Sequence, residues 1–373
     1  MINQLTEKLG LRKNRILFFS IFIIIFTASK AWGLDSTNKS YYLLAAVASV
    51  FWVFALLGTK YEMKEMLLCG LLLAVSAISL YCSGKIGAIL PAMVIVAAKD
   101  MSIDDVIKMM MKCWLITVTV KLALVLSGVI SNETQLKATE FLHGRESNSM
   151  SYGHPNLFAM TVAICILLVL HTFWNSIKWW WGLIIIGIAI VVFMISLSLT
   201  GTSVILVEGI WCLAHYMIIQ SENLRSITNL IMVVVSAISI VLMFCFAKLI
   251  GFSESFDLIL LKYTAHRSHV SKRMLDMYPI TLWGQKFDGR AGYEVLDNTY
   301  VFTLLQLGII MFCLLVIAYL CCLIREYRRK DTRRLFIVTT LIIYGFMEQS
   351  FINPFINFSW LYIADMVWKR DSI

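Results

Sequence analysis

Charge is scarce in this chain. Asp, Glu, Lys and Arg together make up 15% of 373 residues, against 60% hydrophobic residues and a mean hydropathy of +0.80. That balance excludes a soluble globular protein. The apolar residues are spread over many separate runs, so the chain reads as an all-α, polytopic membrane bundle, a single membrane domain over residues 1–373. In hydrocarbon only helices and closed barrels satisfy every backbone polar group. Further absences narrow the chemistry. No Asp-x-Asp, His-Glu-x-x-His, Cys-x-x-Cys, Walker or Gly-x-Gly-x-x-Gly pattern occurs, so no metal, cofactor or nucleotide is expected. The nine cysteines lie in or beside apolar runs and none falls in the long polar loop, so neither a disulfide framework nor a metal knuckle is suggested. No internal repeat is visible, so an inverted-repeat transporter has no support. The net charge of +9 is read by location, because Lys and Arg chiefly set membrane orientation; it implies no nucleic-acid partner.

What is there is a series of apolar runs at about 16–33, 41–58, 66–83, 86–98, 113–130, 157–173, 180–198, 203–219, 229–250, 299–322, 335–348 and 356–368, judged against the roughly 20 residues a crossing helix needs. The first follows a basic start (Lys8, Arg12, Lys13, Arg15) and has no cleavage site after it, so it is expected to be a retained helix. The other strongly basic connector holds Arg325, Arg328, Arg329, Lys330, Arg333 and Arg334. Placing both on the cytoplasmic side requires an even number of crossings between them, which includes the short run 86–98. The consistent count is about twelve helices with both termini cytoplasmic, in the cell membrane. Ser102-Ile-Asp-Asp105 followed by Val106, Ile107, Met109, Met110 and Met111 predicts a short interfacial helix before the run at 113–130. Two outer segments exceed a turn in length: 131–156, and the large loop 251–298.

The first outer segment ends in Ser151-Tyr-Gly-His-Pro-Asn156 and leads straight into an apolar run. Pro155 suits the first turn of a helix, Asn156 is able to satisfy free backbone N–H groups, and His154 is held at the positive end of the helix dipole. This is either an ordinary interfacial cap or a place for an anionic ligand. Arg145 lies nine positions earlier. The large loop carries Lys262, His266, Arg267, His269, Lys272, Arg273, Lys286 and Arg290 outside the membrane, against the orientation rule. Either outer-leaflet lipid or a bound phosphate holds them, and an Arg fork matches phosphate oxygens. Tyr278, Trp283, Phe287 and Tyr293 suit the headgroup level or the faces of sugar rings. Inside apolar runs, Lys121 and Glu208 are functional suspects by position: they pair, snorkel, or face a wet cavity. His171 and His215 read as structural, and Glu348, beside Asn353 and Asn357, reaches toward the outer face.

The motifs, in this order, resemble the bacterial O-antigen polymerase and ligase superfamily, most closely Wzy-type capsular or exopolysaccharide polymerases. They are Ser-Tyr-Gly-His-Pro-Asn at 151–156, Ala265-His-Arg-Ser268, Pro279-Ile-Thr-Leu-Trp-Gly-Gln285, Asp297-Asn-Thr-Tyr300 and Leu304-Leu-Gln-Leu-Gly308. The resemblance implies a fold related to the GT-C membrane glycosyltransferases, with the active site in the outer loops. It implies metal-independent transfer of a glycan from a polyprenyl-pyrophosphate donor to a hydroxyl of a second lipid-linked acceptor, alongside a flippase and a chain-length regulator. Carried over by position, His154 and Asp297 are the candidate catalytic bases. Arg145, Arg267, Asn156, Asn298, Tyr300, Arg273 and Arg290 are the candidate substrate-binding residues. Ligases tend to carry histidine where this chain has Asp297, which favours a polymerase; a ligase and a lipid-linked oligosaccharide flippase are the alternatives.

Overall fold

The computed structural model of the protein describes residues 11–35, 38–132, 134–136, 146–264, 266–288 and 296–369. Its helices in chain order begin with α1 (Arg15–Ala31), α2 (Lys39–Gly58) and α3 (Met63–Ser83). A 3-10 turn and α4 (Leu90–Ala97) come next, then α5 (Ile103–Leu126). A two-stranded antiparallel ribbon, β1 (Thr134–Leu136) and β2 (Glu146–Asn148), separates α5 from α6 (Pro155–Thr172). Then follow α7 (Trp179–Ser196), α8 (Leu199–Gln220) and α9 (Glu222–Leu249). The large loop carries α10 (Glu254–Thr264) and α11 (Arg267–Met277). The chain closes with α12 (Thr299–Phe302), α13 (Ile309–Arg328), α14 (Thr332–Gly345) and α15 (Trp360–Trp368).

Among the described residues, eight helices are long and apolar enough to cross a membrane: α2, α3, α5, α6, α7, α8, α9 and α13. The protein is a multi-pass helical membrane protein. Its surface carries the pattern that lipid demands. In α3 the buried positions are Cys69, Ser76, Ser79 and Ser83, while Leu67, Leu71 and Tyr81 are exposed. Small residues turned inward let backbones approach, and the large apolar ones meet lipid. Helix α6 is the opposite case, 72% of its span being buried.

The short interfacial helix expected at 102–111 is instead the first part of α5, which runs unbroken through 24 residues. Its buried positions, Val106, Ile107, Met110, Met111, Trp114, Val118, Lys121 and Val125, continue one helical stripe. No glycine or proline interrupts it, so nothing separates an interfacial piece from the crossing piece. The run at 299–322, expected as one helix, is broken. Helix α12 passes into a π-helical turn at Thr303–Leu307, ends at Gly308, and α13 starts anew. Segment 281–285 of the large loop lies against this break: Gln285 N donates to Gln306 O at 3.1 Å, and Ile309 N donates to Thr281 O at 3.0 Å. Gly284 (φ +87°) and Gly308 (φ +97°) allow the approach, since a Cβ on Gly308 would sit 2.4 Å from Gly284 N.

The chain divides into two compact units. Met1–Gly58 with Met101–Thr228 form unit 1, and Thr59–Asp100 with Asn229–Ile373 form unit 2. In unit 1, α6 packs on α5 and α8, α8 on α7, and α1 on α2 and α5. In unit 2, α4 packs on α15 and α3, and α13 on α14 and α15. Part of the basic connector at 325–334 is consumed by an ion network here. Asp365 accepts from Arg334 Nη1 at 2.7 Å, with Lys369 Nζ at 2.9 Å and Arg325 Nη1 at 3.4 Å.

Candidate functional site

In unit 2 the large loop, α12 and the end of α14 bring three charged side chains together. Arg267 opens α11 directly after His266, whose backbone is left-handed (φ +68°). Asp297 immediately precedes Asn298, the N-cap of α12. Glu348 ends the turn after α14. The Arg267 guanidinium faces both carboxylates, Nε 3.8 Å from Asp297 Oδ2 and Nη2 3.5 Å from Glu348 Oε1. Both separations exceed a good charge-assisted hydrogen bond of about 2.7–2.9 Å. Arg267 is only 9% exposed, and its Nε has no hydrogen-bond partner among the described residues. Burial pushes the Asp297 carboxyl above its ordinary value, and the Arg267 guanidinium opposes that shift.

Asn298 and Tyr300 hold this arrangement in place. Asn298 is wholly buried; its Oδ1 accepts from Tyr300 N (3.0 Å) and Val301 N (2.8 Å), and its Nδ2 donates to Phe346 O (2.7 Å). Thr299 Oγ1 donates to Glu348 O, and the Tyr300 hydroxyl donates to Ile342 O at 2.7 Å. Residues 297–300 are thereby tied to the end of α14, which holds Asp297 and Glu348 beside Arg267. Both Asn298 and Tyr300, expected to meet substrate, have these polar atoms bonded inside the protein. The sequence points only to Glu348 reaching the outer face. Its signal was a single acid in an apolar stretch, with nothing to name Arg267 as its partner. Arg273 is exposed on α11, while Arg145, Arg290 and Tyr293 lie outside the described residues. Tyr278 is buried against Phe287, ring centroids 4.6 Å apart, and its hydroxyl donates to Asp288 Oδ1 at 2.9 Å. Tyr278 thus packs within the loop.

Unit 1 holds the other motif. Pro155 is the first residue of α6 and His154 its N-cap. His154 Nδ1 accepts from Asn156 N at 3.2 Å, so the histidine performs the capping expected of Asn156. With Nδ1 accepting, the proton of the neutral ring resides on Nε2. The turn before it is strained: Met150 (φ +47°), Ser151 (φ +63°) and Gly153 (φ +73°) are all left-handed. Lys121 supports this turn from α5, its Nζ donating to Ser151 O at 3.0 Å and to Trp32 O and lying 3.6 Å from the centre of the Tyr152 ring. These groups wall a cavity of about 480 Å³ that His154 also lines.

Lys121 and Glu208 form no ion pair. Glu208 is fully buried in α8, and neither of its carboxyl oxygens has a hydrogen-bond partner among the described residues. His171 is buried with Nε2 3.2 Å from Asp104 Oδ1, and His215 packs edge-on against Trp174 at 4.7 Å. Among the described residues no group of three His, Cys, Asp or Glu side chains is arranged to hold a metal ion. No family model matches the sequence, and neither a curated protein nor a solved structure is similar enough to it to be matched.

Proposed function

We propose that this membrane protein is a polysaccharide polymerase that joins lipid-linked oligosaccharide units, with the Arg267–Asp297–Glu348 cluster as its chemical centre. The observation that supports it most is a nine-tenths buried arginine held loosely beside two carboxylates, one of them raised above its ordinary value by burial. Such a carboxylate is a stronger base than an exposed one and suits removal of a proton from a sugar hydroxyl. In the reaction the acceptor hydroxyl oxygen attacks the anomeric carbon of the donor glycan. The bond from that carbon to the polyprenyl pyrophosphate breaks, and its electron pair leaves with the pyrophosphate. The hydroxyl proton goes to Asp297. Once Asp297 is neutral, Arg267 is released from one of its two counter-charges as negative charge grows on the leaving group, so its stabilisation is greatest in the transition state. Inversion at the anomeric carbon follows from a single displacement.

Within this reading Asp297 is the base. Orientation follows the basic connectors: about twelve crossings, the loop 251–298 outside, and both termini in the cytoplasm of a cell whose inner membrane holds the protein. A flippase is the second reading, favoured by one observation, the buried and unbonded carboxyl of Glu208 in a crossing helix. The deciding experiment uses purified protein in detergent with a polyprenyl-pyrophosphate oligosaccharide. Polymerase activity gives a product ladder that Asp297→Asn and Arg267→Lys abolish. Transbilayer movement of the lipid-linked glycan with no ladder assigns the protein to transport.

A further inference from the structure

We infer that the cavity in unit 1 beside Lys121 is a binding site for the phosphate end of an amphiphile, separate from the residues assigned to chemistry in unit 2. Lys121 is 3% exposed, yet its ammonium has no carboxylate within ion-pair distance among the described residues. Its bonds go to two carbonyls and an aromatic face, which orient the charge without cancelling it. Keeping a cation charged out of water is costly, and an anion beside it offsets that cost.

The cavity is where that anion fits. Asp35 is the carboxylate among the described residues that line it, and Lys30 lies close enough to oppose that charge. The lining itself carries one charge of each sign, Lys121 and Asp35, and Lys30, outside the lining, offsets Asp35 and leaves Lys121 as the charge an anion would meet. Asn38, on the rim, is an exposed amide whose Oδ1 accepts from Asp35 N at 3.0 Å. Another part of the wall is apolar, formed by Leu34, Ile130 and Leu157. A compact ammonium beside hydrocarbon suits a phosphate or diphosphate ester whose other end is a chain. On the polymerase reading two lipid-linked substrates are consumed, and this site takes the phosphate end of one of them; that assignment rests on that reading, whereas the anion site itself does not.

The test is calorimetric titration of the full chain in detergent with inorganic pyrophosphate and, separately, with geranyl phosphate. Both are expected to bind. Asn38→Asp keeps the acceptor for Asp35 N but adds a negative charge, and should weaken binding about threefold to tenfold. Asp35→Asn should tighten it by a similar factor. Leu157→Trp adds bulk to the lining without removing the ammonium and should abolish binding. Lys121→Met also removes the carbonyl struts, so its loss of binding counts only where its melting temperature matches wild type. The other three variants decide the matter regardless. Geranyl phosphate binding at least tenfold tighter than pyrophosphate identifies the lipid-linked form, and equal affinities identify a free phosphate; either outcome supports the site. Wild type that binds neither probe, binding unchanged in all three variants, or binding lost only in Arg267→Ala overturns it. The two proposals fail separately. Wild type that makes no ladder while Asn38→Asp and Asp35→Asn shift phosphate affinity defeats the polymerase alone. Ladders formed by a protein whose phosphate affinity ignores these variants defeat this site alone.

Discussion

The charge on Asp297 governs how the proposed centre responds to pH. Burial favours its protonated form and Arg267 resists that, with burial prevailing. A base must be ionised to work, so polymerisation should fall as pH drops through a value above the ordinary carboxylate range. The linked effect on stability has the opposite direction. The folded chain holds this proton more tightly than the unfolded chain, so the contribution of Asp297 to stability declines as pH rises from its ordinary value through the folded one. A ladder assay across pH 4–8 checks the first point; an acid limb at the ordinary carboxylate value would remove Asp297 from the base position. Asp297→Asn should lower the rate about 10²–10⁴-fold. Arg267→Lys keeps a cation but loses the planar fork that reaches both carboxylates, so it should stay impaired by about 10²-fold or more. Normal polymer from Arg267→Lys at wild-type protein level would show that the fork is not used. Glu208 behaves differently, because an ion without a partner is costly to bury. Glu208→Gln should leave folded yield unchanged or improved, and its effect should add to that of Lys121→Met, since the two side chains are not paired. A coupled double-mutant cycle on folded yield would contradict that.

The element most exposed to a single change is the break between α12 and α13. Gly308 sits at φ +97° with its α-carbon against the backbone of Gly284, and loop residues 281–285 bond to this unwound stretch. An alanine there meets both a forbidden dihedral and a backbone atom 2.4 Å away. Gly308→Ala should therefore destabilise unit 2 by about 1–3 kcal/mol or more, while the ordinary helical Gly70, with open space around its Cβ position, should accept alanine without loss. Thermal unfolding in detergent compares the two; equal melting temperatures would mean that the loop does not need this approach. The same element argument explains α5. Its stripe of buried residues runs on without a breaker, and an interfacial helix would have needed one.

For the whole molecule the prediction concerns orientation. The proposed orientation, argued from the basic connectors, has 251–298 outside and 322–334 in the cytoplasm. Ser255 and Arg328 are both exposed, so Ser255→Cys and Arg328→Cys can be tested with a membrane-impermeant thiol reagent after the native exposed Cys245, Cys313 and Cys321 are replaced. In intact cells Ser255→Cys should label and Arg328→Cys should not. The reverse result would invert the protein and place the proposed chemistry in the cytoplasm.

Much of this was determined by the sequence alone. Long apolar runs with little charge leave helices across a membrane as the available solution, and each expected run does carry helix. Pro155 in the first turn of α6 was also legible, because helix starts are local devices read over three or four residues, whereas the caps made by His154 and Asn298 were not expected. What only the tertiary structure decided depends on partners distant in the chain. That Glu348 meets Arg267, 81 positions earlier in the numbering, follows from hydrogen bonds between 298–299 and 346–348 that no local pattern encodes. That Lys121 supports the strained turn at Ser151 instead of pairing with Glu208 follows from how α5 packs in unit 1. The joining of 59–100 to 229–373 in one compact unit was equally hidden. Hydrophobicity decides that a helix enters lipid but is nearly indifferent to which neighbour it meets there. That choice rests on small-residue packing and a few polar contacts, and these exist only once the helices are together.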